Sequence, residues 1–362
     1  MNILFTCAGR RNYLIAYFRH ALEGAGRLVA ADCSDQATAL READEAVILP
    51  RVDAPGYIDE LLALCAEKQI ALLVPLNDHE LPLLAREQAR FAALGTRVLV
   101  SSLEVIELAA DKLATARFAE QIGLLAPKTY HTLEAALTAL DCHEIQFPLI
   151  IKPRWGSASL GVERVEDRET LVLAWRWSQH RFPALGLRQD AVDGSGLIIQ
   201  SALPGQEYGL DVVNDLSGRY RATFVKRKLS MRAGETERAI TESHPVLEAV
   251  GERLAQALGH IGNLDCDLFY DGQRVYLLEL NPRFGGGYPF SAEAGADVPA
   301  ALIAWAQGRE PASRWCELRA GVSVAKCDRL VEMVQINRQA EVVSLPGAAE
   351  AVVLPSVSGA SH

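Results

Sequence analysis

The strongest constraint on the fold is the regular alternation, over the first hundred residues, of short apolar runs with amphipathic stretches. Residues 3–6, 28–31, 46–49, 72–75 and 98–100 are apolar and read as buried strands. Between some of them, residues 13–22 and 57–67 carry apolar side chains at three- and four-residue spacing, the pattern of a one-faced helix. Strands linked by helices run parallel, and a parallel sheet needs cover on both faces. The chain has 362 residues, too many for one compact core, so two or three subdomains are expected.

The texture changes at Ser101. Ser101 and Glu104 form a candidate capping box that opens a helix through Ala110, and 113–122 and 133–140 also read as helical. Residues 147–152 form an apolar strand that ends on a lysine and runs into a glycine- and serine-rich loop. Further strands are expected at 197–200, 208–213 and 220–228, then a one-faced helix over 246–258. Strands at 265–270 and 275–280 follow, joined by Asp271-Gly272, a hairpin turn signal. The last forty residues add expected strands at 322–325, 330–336 and 351–354, with a loose tail from Ser356.

Bulk properties exclude some partners. A net charge of −10 with no long charge run argues against a nucleic-acid binder, which would normally show a basic face. The seven cysteines are widely spaced and form no C-x-x-C pair, so they read as reduced thiols of a cytoplasmic protein. No apolar stretch is long enough to span a bilayer, and the N-terminus lacks the pattern of a signal peptide.

The chemistry concentrates in three clusters. In Leu277-Leu278-Glu279-Leu280-Asn281 the two-residue period of a strand puts Glu279 and Asn281 on one face, and Asp267 on the preceding strand can sit across from them. Two carboxylates and an amide oxygen suit a hard divalent cation, Mg2+ above all, with phosphate oxygens and water completing the shell. A solvated polar sheet face gives the same pattern. Pro282-Arg283-Phe284-Gly285-Gly286-Gly287 follows, an arginine and then glycines whose backbone N–H groups can cradle an anion. The second cluster is Lys152-Pro153-Arg154-Trp155-Gly156-Ser157-Ala158-Ser159, a strand-end lysine with a small-residue loop. Such a loop holds phosphates by point charge and N–H groups, although an ordinary turn reads the same. In the third, a strand through Gln200 turns at Pro204-Gly205 and offers its backbone to a flat base edge, with Glu207 placed to accept from ribose hydroxyls. No Ser-His-Asp or Cys-His arrangement competes, and His79, His131 and His244 fall near expected helix starts.

Taken in order, these clusters resemble the ATP-grasp superfamily. Its members show a lysine or arginine before a lid, a strand-end lysine with a small-residue loop, an E-x-x-[LI]-x-G-x-E hinge, an acidic residue and then E-x-N-P-R. The counterparts are Lys112, Lys152, Gln200 to Glu207, Asp267 and Glu279-Leu280-Asn281-Pro282-Arg283. The hinge begins with Gln200 where the family usually has Glu, and Gln keeps an acceptor oxygen. Thr6-Cys7-Ala8-Gly9-Arg10-Arg11 and Asp111-Lys112 are most similar to short proteins related to the carbamoyl-phosphate synthase large subunit. A second grasp half and a glutaminase segment are missing, so full carbamoyl-phosphate synthesis is not expected.

The resemblance implies an α/β and α+β chain with the ATP-grasp fold. Residues 1–100 would form a Rossmann-like preATP-grasp domain, 101–205 the helical linker and lid, 206–320 the catalytic α+β part, and 321–362 terminal strands and tail. It further implies that Lys112 and Lys152 meet the α- and β-phosphates of ATP, with Gly156, Ser157 and Ala158 folding over them. Gln200 would face the adenine amino group, Ser201 and Leu203 would give backbone bonds, and Glu207 would hold the ribose. Asp267, Glu279 and Asn281 would bind two Mg2+ ions, for which Mn2+ can substitute, and Arg283 would steady the transferring phosphoryl group. Lys226 or Arg227 would reach the γ-phosphate, and 230–241 would be a mobile loop whose Arg232 and Arg238 meet anions. Arg10 and Arg11 either bind the acidic group of the acceptor or lie on the surface.

The implied activity is ATP-dependent ligation of a small carboxylic acid to an amine or amino acid through an acyl phosphate, in a cytoplasmic protein; the oligomeric state is open, a homodimer being the commonest default for such enzymes. Two alternatives share the site: a phosphotransferase, or a nucleotide-binding sensor or subunit without turnover. Retention of Asp267, Glu279, Asn281 and Arg283 argues against the sensor.

Overall fold

A computed structural model describes residues 1–156, 160–184, 196–333 and 343–344. The expected alternation builds a parallel sheet from β1 (Asn2–Thr6), β2 (Leu28–Asp32), β3 (Glu45–Ile48), β4 (Ile70–Pro75) and β5 (Arg97–Val98), in the order β3-β2-β1-β4-β5. Helix α1 (Asn12–Leu22) covers one face, while α2 (Tyr57–Glu67), α3 (Leu81–Ala93) and α4 (Leu103–Ala110) pack into the core on the other. The order reverses between β1 and β4, which opens a crevice at the carboxyl ends of these strands.

Helix α5 (Lys112–Gln121) leads to a lid. Four antiparallel strands, β6 (Thr129–Tyr130), β7 (Leu149–Pro153), β8 (Glu163–Val165) and β9 (Leu197–Ser201), lie in the order β6-β9-β7-β8. Helices α6 (Leu133–Asp141) and α7 (Arg168–Ala184) close its small core of Ala136, Leu149, Ile151, Leu171, Trp175 and Ile199.

The third layer is an antiparallel sheet. Its strands are β10 (Gln206–Asn214), β11 (Tyr220–Arg232), β12 (Glu235–Glu242), β13 (Gly262–Tyr270), β14 (Val275–Asn281) and β15 (Ser323–Ala325), ordered β14-β13-β10-β11-β12-β15. One face packs on α8 (Pro245–Leu258), α4 and α5 through Leu210, Val212, Val225, Leu264, Cys266 and Leu268. After β14, α9 (Tyr288–Glu293) and α10 (Val298–Ala306) carry the chain back against α1. Phe284, Tyr288 and Trp305 thereby join Phe5 and Phe18 in one core shared by the parallel and antiparallel sheets. The two-residue β16 (Val343–Ser344) adds antiparallel to the β3 edge.

Three sequence expectations change. The cap of α4 is Ser102, whose side chain accepts from Val105 N–H; Ser101 is buried and its Oγ accepts from Ile261 N–H at 3.0 Å. A tertiary contact took the serine that the local pattern had assigned to the cap. Residues 230–241 are a hairpin, not a loop: β11 and β12 continue through them and turn at Ala233 and Gly234, with φ of 50° and 79°. Two consecutive left-handed residues make the tight turn that matches strand twist. Residues 330–333 are not strand; 334–336, 351–354 and the tail from Ser356 lie outside the described residues.

Candidate active site

Strand alternation on four neighbouring strands builds the site. On the face opposite α8, β13 presents Asp265 and Asp267, β14 presents Glu279 and Asn281, β10 presents Asp211, and β11 presents Lys226 and Lys228. Register places Asp267 opposite Glu279 and Asp265 opposite Asn281. All of these but the fully buried Asp211, with Arg11, Glu235, Arg283, Gly286 and Gly287, line a cavity of about 130 Å³. A second cavity of about 280 Å³ lies between this sheet and the lid, lined by Lys112, Lys152, Gly156, Gln200, Leu203 and Phe269 among others. Glu279 lines both.

The charges sort into paired and unpaired groups. Lys226 Nζ is buried and donates to Asp211 at 2.6 Å; Asp211 also accepts from Ser291 and Asn263. Lys228 Nζ is shared at 2.7 Å each by Glu207 and Asp267. Burial works against its charge, but Asp267 and Glu207 together hold its pKa above the usual lysine value. Arg283 donates through Nε and a terminal nitrogen to both oxygens of Asp78, each at 2.7 Å. Arg11 makes no ion pair among the described residues; its guanidinium donates to Tyr13 Oη at 3.1 Å. The Asp265 carboxyl is raised by burial and by Asp267, against the pull of Lys226 and Arg283.

The donor set is oxygen only, as a hard cation requires. Among the described residues no three of His, Cys, Asp or Glu converge as a complete metal site. A Mg2+ site of one or two carboxylates, completed by phosphate and water, does not need three such ligands. A Cβ on Gly285 would fall 2.0 Å from the Asp265 carboxyl carbon, so only glycine lets the backbone pass this carboxylate. The N–H groups of Gly286 and Gly287 find no acceptor among the described residues.

The second cavity has a lysine-bearing end and an end lined by Gln200 and Leu203. Asp111 caps α5 and holds Arg154 by two bonds, at 2.8 and 2.6 Å, while Lys112 N–H bonds the Arg154 carbonyl. The two lysine segments are therefore tied together. Lys112 Nζ reaches the Gly156 carbonyl at 2.5 Å and stands 3.6 Å from Glu279. Lys152 is buried with no hydrogen-bond acceptor or ion-pair partner among the described residues. At the other end the Gln200 amide nitrogen donates to Thr129 at 2.9 Å, which leaves its oxygen to accept. Ser201 N–H is taken by the Lys128 carbonyl, so only the Ser201 carbonyl is left to offer, whereas Leu203 N–H has no acceptor among the described residues.

Burial, reinforced by Lys112 and opposed by Glu279, pulls the Lys152 pKa down to about 8. An anionic ligand favours the charged form, so Mg-ADP affinity should fall as pH rises through about 8, by at most about tenfold per unit. The empty protein should do the reverse. A lysine pKa depressed below its unfolded value makes stability rise with pH above about 8. Calorimetric titration over this range should show the decline in affinity in the wild type and its loss in Lys152→Ala.

Most of the sequence candidates thus meet around the two cavities. Arg227 does not: alternation puts it on the α8 face, where its Nε donates to Glu242 at 2.6 Å. Arg232 pairs with Glu237 and Asp328, and Arg238 donates to Ser230, away from either cavity lining. Glu207 is turned to Lys228 and lines neither cavity. Ser157 and Ala158 lie outside the described residues. Sequence reasoning missed Lys228, Asp265 and Asp78. The first two were within reach, because each stands two residues from a named candidate on the same strand face. Asp78 carries no local signal.

A parallel α/β sheet, an antiparallel lid and an antiparallel sheet with a charged cleft between them make up the ATP-grasp fold, and the chain has that fold. Residues 3–99 match the family described as PylC-like, N-terminal domain, and residues 194–330 match ATP-grasp in the biosynthetic pathway with Ter operon. The chain is similar to the carbamoyl phosphate synthase large chain of Campylobacter jejuni, 24% identical over 59% of this chain and 20% of that one. It is also similar to a D-alanine–D-alanine ligase of Streptococcus uberis, 29% identical over 53% of this chain and 56% of the relative. The matches thus span a fifth and little over half of these relatives' lengths. In structure it resembles a biotin carboxylase from Campylobacter jejuni crystallised with a β-γ-ATP ligand, with a TM-score of 0.68 at 17% identity, covering 88% of this chain and 73% of that one. No helix among the described residues is long and apolar enough to cross a membrane.

Proposed function

We propose that this chain is an ATP- and Mg2+-dependent ligase that activates a small carboxylic acid as an acyl phosphate and joins it to an amine or amino acid. The observation that carries the reading is the position of Glu279. Its carboxylate lines both the lysine-bearing cleft and the carboxylate-and-arginine cavity, which makes it the junction between a nucleotide and an acceptor. Adenine fits the cleft, with its amino group on Gln200 Oε1 and a ring nitrogen on Leu203 N–H. Lys152 and Lys112 meet the phosphates, and Glu207 would hold the ribose once the bound nucleotide draws it away from Lys228.

Asp267, Glu279 and Asn281 would hold Mg2+, with Asp265 adjacent; we infer two ions, with Mn2+ able to substitute. Bound there, the metal neutralises phosphate charge and orients the γ-phosphoryl group. The protein's own part is positional. Arg283 and the free N–H groups of Gly286 and Gly287 face the oxygens that gain charge during transfer. Lys226 keeps its buried pair with Asp211 and so lines the cavity as half of a neutral ion pair, not as a free cation. Arg11 is free to receive an anionic group of the acid. A substrate carboxylate oxygen attacks the γ-phosphorus and ADP leaves; the amine then attacks the acyl carbon and orthophosphate leaves. The lid has to close, because an acyl phosphate hydrolyses in water. We place the reaction in the cytoplasm, in a homodimer.

Two experiments test this reading. Mg-ADP should raise the melting temperature, since a ligand of the folded state adds about 2.7 kcal/mol at a hundredfold excess over its Kd, and Lys152→Ala should lose most of the rise. An unchanged melting curve contradicts the reading. A phosphate-release screen of acid and amine pairs should give ADP and orthophosphate only when both are present. A stable phosphorylated acid in place of orthophosphate would make the protein a phosphotransferase instead.

A further inference from the structure

The arginine of the E-x-N-P-R segment does not point freely into its cavity. Four of its five N–H groups are engaged: two by Asp78, one by the Phe284 carbonyl at 3.1 Å and one, loosely, by Asn281 Oδ1 at 3.4 Å. One terminal N–H remains for a ligand. Asp78 lies 205 residues earlier, in the loop after β4 of the parallel sheet. The next residue of the arginine strand end, Phe284, packs edge-on against Phe18 of α1 at 6.0 Å and against Tyr288 at 4.8 Å. The loop holding Asp78 is pinned on both sides. Asn77 Oδ1 accepts from His79 N–H at 2.9 Å, and the fully buried Glu80 accepts from the Thr6 and Tyr57 hydroxyls. Burial disfavours the Asp78 carboxylate, but Arg283 beside it more than offsets this and holds its pKa below the ordinary value.

We propose that Asp78 is a positioning residue for phosphoryl transfer: it clamps the Arg283 guanidinium by its two-bond fork so that one N–H stays aimed at the reacting group. The N-terminal sheet thereby supplies part of the catalytic geometry, beyond any substrate it binds. A two-bond Arg–carboxylate pair fixes a plane, whereas a single bond leaves rotation about it. The inference rests on the ligase reading, in which Arg283 acts on the transferring group.

The test measures kcat, the KM for ATP, melting temperature and Mg-ADP binding on the same preparations. Asp78→Asn keeps the shape and loses one arm of the fork; kcat should fall about tenfold to a hundredfold with the KM for ATP changed less than about twofold. Asp78→Glu keeps the ion pair and shifts it by one methylene. Positioning predicts a lower kcat at an unchanged melting temperature, whereas a pair that only stabilises the fold predicts wild-type kcat. Adding Asp78→Asn to Arg283→Lys should bring no further loss, because both act through one guanidinium. Wild-type kcat in Asp78→Asn and Asp78→Glu, or losses that multiply in the double variant, would overturn the inference and leave the ligase reading standing. A wild-type protein that binds no Mg-ADP would overturn both.

Discussion

Arg283→Ala is expected to lower kcat by about a thousandfold or more while leaving ATP affinity within a few-fold of wild type. Arginines that stabilise charge on a transferring phosphoryl group contribute at this scale, and they act mainly in the transition state. The structure adds a constraint on how the experiment is read. Arg283 is nearly buried against Asp78, and removing one partner of a buried pair leaves an uncompensated charge that costs up to about 3–5 kcal/mol. The Asp78 side chain retains 31% exposure, so the true cost lies toward the lower end of that range or below it. Melting temperature has to be measured beside the kinetics, and Arg283→Lys serves as the folded control. Lysine keeps the charge but cannot reproduce the fork, so its kcat should fall nearly as far as that of the alanine variant. Glu207→Ala should show the opposite pattern, weaker nucleotide binding with a modest change in kcat, because ribose contacts are equal in ground and transition states. If Arg283→Ala weakened ATP binding and spared kcat, the arginine would be a ground-state anchor.

Glu279→Gln should cut turnover by about a hundredfold to a thousandfold without loss of fold. The carboxylate stands opposite Asp267 on the neighbouring strand and beside the raised carboxyl of Asp265. Like charges this close repel, so in the metal-free protein a neutral isostere relieves the cluster and the melting temperature should hold or rise. The lost contact to Lys112 is 3.6 Å long and contributes little. With Mg-ATP present the order should invert, the wild type gaining more thermal stability than the variant. Asn281→Ala should also lower turnover, by less, and without the gain in stability, because the amide it removes is neutral. Normal turnover by Glu279→Gln at moderate Mg2+ would remove the metal assignment.

How far the sequence reached depended on whether a contact was local. Period and punctuation were enough for the parallel sheet, for α5 and α8, and for the opposition of Asp267 to Glu279 across the β13–β14 hairpin. Those features arise from neighbours one to four residues apart or from a single turn. The same periodicity, applied strictly to Lys226-Arg227-Lys228, separates Arg227 from the two lysines and would have added Lys228. The hairpin at 233–234 was hidden because Ala233 adopts φ of 50° without belonging to the usual turn residues. The Ser101 hydroxyl went to Ile261 and the Asp78 carboxylate to Arg283, contacts between segments 160 and 205 residues apart that no local pattern encodes. The Lys226–Asp211 pair was equally out of reach, since only the assembled sheet shows that this lysine is neutralised from below.

In the proposed reaction an oxygen of the acid attacks the γ-phosphoryl group. The most direct measurement uses the acid found by the phosphate-release screen, labelled with 18O in its carboxylate, together with Mg-ATP and the amine. Attack through an acyl phosphate carries one carboxylate oxygen into the released orthophosphate, so mass spectrometry should find one 18O per phosphate and a product amide that has lost one label. Orthophosphate free of 18O, formed at the same rate as the amide, would rule out an acyl phosphate on the path.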